Sequence, residues 1–111
     1  MSQSLTPQQA LWLDPFQPLA DDAQAQLAEG GLHAVPVSTL QELQLRLDQA
    51  DLLVVRLGGS IELLQELQAL TTTLGFSVPI VCRVDRRHLE LVVDAMRHGA
   101  LHVLPADEWS P

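Results

Sequence analysis

Arg56 is the residue whose type and position bear most directly on chemistry in this chain. It closes an apolar run, Leu52 to Val55, with Asp51 before the run and Gly58-Gly59 just beyond it. A guanidinium is permanently protonated and presents a planar fork of donors, so it binds carboxylates and phosphates but has no lone pair with which to attack. Asp14 closes a second apolar run, Ala10 to Leu13. If both runs are strands of one parallel sheet, the two charges emerge at the same rim, where such sheets gather their ligands. The expectation is a fixed ion pair between Asp14 and Arg56.

The other reactive residue types point to little chemistry. The histidines are scattered at 33, 88, 98 and 102, and Gly99 interrupts the helix between His98 and His102, so no shared metal is expected. Cys82 lies inside an apolar strand and reads as a small core residue; being the only cysteine, it rules out an internal disulfide framework. Asp21-Asp22 fall early in a helix and Asp107-Glu108 follow the last strand, both as solvated acids without the setting of a general acid/base pair. Gly58-Gly59 has no GxxxxGK[ST] context and the chain has no lysine, so these glycines serve a tight turn and not a phosphate loop. No catalytic residue, metal or cofactor is expected.

The elements that must carry these residues alternate. Residues 1–9 are a polar lead-in, followed by strand Ala10 to Leu13 and a helix from Pro18 to Glu29 that ends at Gly30-Gly31. Leu32 to Val37 contains Pro36, which marks an edge strand. Ser38 or Thr39 caps a second helix, with Glu42 completing a capping box and Leu40, Leu43, Leu45 and Leu47 facing inward. The central strand follows Asp51, its β-branched apolar run reading as buried on both faces. Ser60 caps a third helix that Gly75 ends, and Ser77 to Val84 is the fourth strand. Asp85 caps a fourth helix, with Leu89, Val92, Val93 and Met96 as its packed face and Gly99 as its stop; Leu101 to Leu104 is the fifth strand. The pattern predicts an α/β fold with a five-stranded, doubly wound parallel sheet. The sequence stops before a fifth helix, so the expectation is a domain cut from a longer chain, or a face covered by another segment or subunit. Trp12 is expected in the core, and Trp109 in the tail beside that absent helix.

Composition narrows the partners. At 111 residues the chain is one domain; 47% of its residues are apolar and 4% aromatic, so the core is aliphatic. A net charge of −8 with six arginines argues against direct contact with nucleic acid. The N-terminus has no signal-peptide pattern, and no apolar stretch approaches the ~20 residues needed to cross a bilayer. A cytoplasmic protein is expected.

Five features together resemble the receiver domain of bacterial response regulators, over residues 10–107: Asp14 closing strand one, the DLLVV strand, Pro79 opening strand four, AMRHGA ending helix four, and LHVLPAD after it. The resemblance implies a flavodoxin-like fold with residues 108–111 beginning a linker or fifth helix. It also implies a phosphorylation site that this chain has lost. Family members hold Mg²⁺ with two acids after strand one, accept phosphate on an Asp closing strand three, and carry a Ser or Thr closing strand four and a Lys-Pro after strand five. Here Pro15 stands beside Asp14, Arg56 replaces the acceptor, Val84 (or Arg83, by a one-residue shift) replaces the Ser or Thr, and Ala106-Asp107 replace Lys-Pro. The resemblance thus implies a degenerate receiver, such as those at the N-terminus of enhancer-binding transcription activators, with the Asp14–Arg56 pair in place of the metal. It would work without phosphorylation, through its own output domain or as a homodimer. The helix-four to strand-five region, with Arg86, Arg87, Glu90, Asp94, Arg97 and His102, is the candidate interface. The alternative is a flavodoxin-like domain binding a nucleotide or second messenger near Asp14, Arg56 and Arg83.

Overall fold

A computed structural model describes residues 8–106. The chain alternates β1 (Gln8–Leu13), α1 (Asp21–Glu29), β2 (Leu32–Val37), α2 (Leu40–Arg46), β3 (Leu52–Leu57), α3 (Glu62–Leu74), β4 (Ile80–Val84), α4 (Leu91–Arg97) and β5 (His102–Pro105), with 3-10 turns at Leu47–Gln49 and Arg86–His88. The strands form one parallel sheet in the order β2-β1-β3-β4-β5. This is the doubly wound architecture that the alternation predicts. β3 lies at the centre, and β2, with Pro36 where a central strand would need a donor, lies at the edge. β1 begins at Gln8, two residues before the apolar run, because Gln8 and Gln9 pair with Leu32 and His33.

Period-two alternation divides the sheet's side chains between two faces. Leu11, Leu13, Leu53, Val55, Leu57, Ile80, Cys82 and Val84 pack with Leu43 and Leu47 of the α2 segment, Leu64 and Leu67 of α3, and Leu91 and Ala95 of α4. Ala10, Trp12, Val54 and Val81 face the other way, with Ala34 and Leu27 of α1. Trp12 is core, as expected. Among the described residues α1 alone covers this second face. It leaves a groove of about 550 Å³ lined by Trp12, Leu27, Val54, Val81, Arg83 and Leu104, among others.

Local signals set most helix ends. The Thr39 hydroxyl accepts from the Glu42 amide at 3.1 Å, and the Glu42 carboxylate accepts from the Ser38 amide at 2.8 Å. This is a capping box displaced by one residue on its return arm. Gly75, at φ 79°, ends α3 in the left-handed conformation that suits glycine. The Ser60 hydroxyl accepts from the Glu62 amide at 3.3 Å.

Three expectations need correction. α1 starts at Asp21 and not Pro18, with its acids in the first turn. Leu45 is 81% exposed; Leu43 of α2 and Leu47 of the 3-10 turn that continues it are buried, four residues apart, and a 3.6-residue period turns Leu45 to the opposite side. In α4, Leu89, Val93 and Met96 are exposed and the packed residues are Leu91 and Ala95. The helix is apolar on two sides, and the small Ala95 side chain lets the backbone approach the sheet. Asp107, Glu108 and Trp109 lie outside the described residues.

Candidate functional site

Strand alternation decides which charges meet. Arg56 follows Val54 in β3 and Arg83 follows Val81 in β4, so both point to the α1 side of the sheet, and they are register partners. Two adjacent guanidinium groups repel unless acids lie between and beside them. Asp14 ends β1, next to β3, and supplies the first acid. Asp85 follows β4 and supplies the second.

One carboxylate oxygen of Asp14, Oδ1, accepts from the backbone N–H groups of Phe16 at 2.8 Å and Gln17 at 2.9 Å. This folds the loop after β1 around the acid and holds the carboxylate in place. The other, Oδ2, accepts from Arg83 Nη1 at 3.1 Å and Arg56 Nη1 at 3.5 Å. Arg56 also donates to Gln17 Oε1 at 3.0 Å and, through Nη2, to Asp85 Oδ1 at 2.9 Å. Arg83 Nη2 donates to the Ala106 carbonyl at 2.5 Å. Both guanidiniums lie over rings, Arg83 at 4.6 Å from the Trp12 centroid and Arg56 at 5.5 Å from that of Phe16. Gly58 makes room for the second contact: a Cβ there would lie 2.9 Å from the Phe16 ring.

The cluster pairs two cations with two anions at a largely buried rim, of which the Asp85 side chain is the most exposed member. The side chains of Arg83 and Asp14 are 4% and 5% exposed, that of Arg56 12%. Burial pulls the Arg83 pKa below its ordinary value, and the charge and hydrogen bond of Asp14 oppose that pull. A carboxylate held by two guanidiniums and two amides has no free lone pair facing a metal, and a cation placed beside Arg56 would be repelled. Among the described residues no group of three or more His, Cys, Asp or Glu is placed to hold a metal ion. At neutral pH the rim can brace strand ends or present a fixed surface. It offers no hydroxyl, thiolate or free carboxylate in the position that Arg56 fills.

By sequence, no family model matches the chain and no curated protein matches it. By structure it is similar to receiver domains. A CheY-like protein, TadZ, from Pseudomonas aeruginosa PAO1 superposes with a TM-score of 0.66 and 29% identity, over 91% of this chain and 88% of that one. An orphan response regulator of H. pylori gives 0.71 and 18%, over 95% and 87%. The receiver domain of NtrC4 from Aquifex aeolicus gives 0.64 and 17%, over 89% and 85%. This chain is a receiver-like domain.

In the receiver-like domain the residues singled out from sequence fall in different places. Asp14, Arg56 and the Ala106 backbone converge at the rim, and the expected Asp14–Arg56 pair forms. Pro15 is exposed beside them. Val84 is buried on the opposite face of the sheet, away from the charges. Arg86, Arg87, Glu90, Asp94 and Arg97 are exposed around α4, whereas His102 lines the groove on the other side of the sheet. The readings near Asp14, Arg56 and Arg83 missed that Arg83 is the closer partner of Asp14. They also missed Asp85, expected as a helix cap, whose side chain instead accepts from Arg56. The signal for Arg83 was available: Ile80, Cys82 and Val84 form one apolar phase, which puts Arg83 in the phase of Val81.

Proposed function

We propose that this domain is a degenerate receiver, a non-enzymatic signalling module that acts through protein–protein contacts without being phosphorylated. The observation that carries this reading is the occupation of the β3 rim position by Arg56, whose guanidinium bonds Asp14 and Asp85. Phosphoryl transfer to this domain needs an oxygen nucleophile and a metal that offsets charge on the transferred group. Arg56 removes the nucleophile, and the two arginines already neutralise Asp14, the one acid that matches the family's metal ligands. What remains is a rim fixed in one arrangement, so that regulation rests on which partner the domain meets. The structural likeness to receivers supports a regulatory role. Its place would be in the cytoplasm, beside an output domain in transcription control or a second copy.

Incubating the chain with acetyl phosphate and Mg²⁺ and measuring its intact mass tests this directly. The expected result is no added phosphate; a stable phosphorylated form sinks the proposal. Arg56→Asp alone is expected to remain unphosphorylated, because Val84 and Ala106 still lack the hydroxyl and ammonium groups that complete the reaction.

A further inference from the structure

β2 lies at one edge of the sheet, so one row of its backbone groups faces no strand among the described residues. The Gly31 carbonyl accepts from the Gln8 amide at 3.0 Å, which fixes the phase of the β1–β2 ladder. Alternation then turns the backbone groups of His33, Val35 and Val37 towards β1 and those of Leu32, Ala34 and Pro36 outwards. An outward row of this kind accepts the strand of another chain. Charged side chains, lysine above all, commonly prevent that, but Leu32–Val37 has no lysine, arginine or acid.

Two other features blunt the row. Pro36 has no N–H to donate. The Ala34 carbonyl is already in use: Gln24 Nε2 of α1 donates to it at 2.8 Å. Gln24 reaches the strand because it sits three residues, about one turn, before Leu27, which anchors α1 on this face of the sheet. A neutral amide suits the place. It satisfies a carbonyl on the fully buried Ala34 without drawing a charge out of water. A strand adding here meets an acceptor in use at position 34 and no donor at position 36.

We infer that Gln24 and Pro36 together close the β2 edge, so that the chain meets its partners through other surfaces and does not pair strand to strand there. The two act on neighbouring outward positions, and removing either leaves the other in the path of an incoming strand. The closure is independent of whether the domain takes phosphate.

Sedimentation velocity of the native chain, Gln24→Ala, Pro36→Val and the double variant, over a concentration series reaching about 1 mM, provides the test. Gln24 is half-buried and Pro36 exposed, so the variants are expected to keep the fold, which a thermal scan checks. The native chain sets the baseline. The double variant should associate at least about tenfold more tightly than that baseline, and each single variant should stay within about threefold of it. Gln26→Ala, on the same helix but with an exposed side chain, should match the native chain. Amide exchange separates edge pairing from association through a loosened fold. In the double variant the amides at positions 34 and 36 should exchange more slowly as concentration rises. A double variant that associates no more than the native chain overturns the inference. Association that leaves those two amides unprotected overturns it as well.

Discussion

On the side of the sheet beneath α2, α3 and α4, burial is almost entirely aliphatic, with Leu53, Val55, Leu57, Leu64 and Leu67 fully enclosed. On the α1 side the same strands carry Val54 and Val81 and then, two residues on, Arg56 and Arg83. The aliphatic layer gains stability in proportion to area and has no preferred direction. The ionic rim depends on geometry: each guanidinium must meet its acid, or a buried charge is left without compensation. One layer therefore sets how strongly the domain folds, and the other sets how its strand ends are arranged.

Substitutions on the two sides sharpen that contrast. Asp14→Ala should have the largest effect, about 3–5 kcal/mol from urea unfolding, because it strands Arg83 in the interior. Leu64→Ala on the aliphatic side should cost about 2–5 kcal/mol through lost contacts and the space left behind, with the lower half of that range expected if the helices close in. Coupling should distinguish the two kinds of burial. Combining Asp14→Ala with Leu64→Ala should be additive, whereas Asp14→Ala with Arg83→Met should fall short of additivity by about 1–3 kcal/mol. Strict additivity of the second pair would break the view of the rim as a unit. Arg56→Gln is expected to cost less, about 1–2 kcal/mol, since Arg56 sits nearer solvent and Arg83 still holds Asp14.

A pH profile sharpens the aliphatic side. Burial pushes the Cys82 thiol from an ordinary 9.0 up to about 12. The folded chain therefore keeps this proton where the unfolded chain loses it. The associated stability is fully present below pH 9.0 and is lost as pH rises towards about 12. The slope is about 1.4 kcal/mol per pH unit. Cys82→Ala should flatten that part of the profile measured by thermal unfolding, and an unchanged slope would contradict the burial argument. Leu45→Gln should change stability by less than about 0.5 kcal/mol, since its side chain already faces water.

The sequence made the architecture legible because its periodicities were unambiguous where it mattered. The DLLVV run, β-branched and bounded by Asp51 and the glycines, reads as a strand enclosed on both faces, and Pro36 reads as an edge residue. The Asp14–Arg56 contact followed from strand ends meeting at a common rim. Arg83 and Asp85 were harder to place, because their roles depend on the phase of β4 against β3, and register is a property of pairing that a single strand does not carry. α4 misled for a related reason. Leu89, Val93 and Met96 make as good an apolar row as Leu91 and Ala95, and the choice between them is made by the fit of the small residue against the sheet. Apolar spacing indicates a helix; it does not say which of two apolar sides faces inward.

Arg83 grips the Asp14 carboxylate with one nitrogen and the Ala106 carbonyl with the other. The first strand is thereby lashed to the point where the backbone leaves the fifth, across the width of β3 and β4. The loop after β1 and the end of β5 thus share one hydrogen-bonded link that bypasses the aliphatic layer, like a cross-tie in a frame.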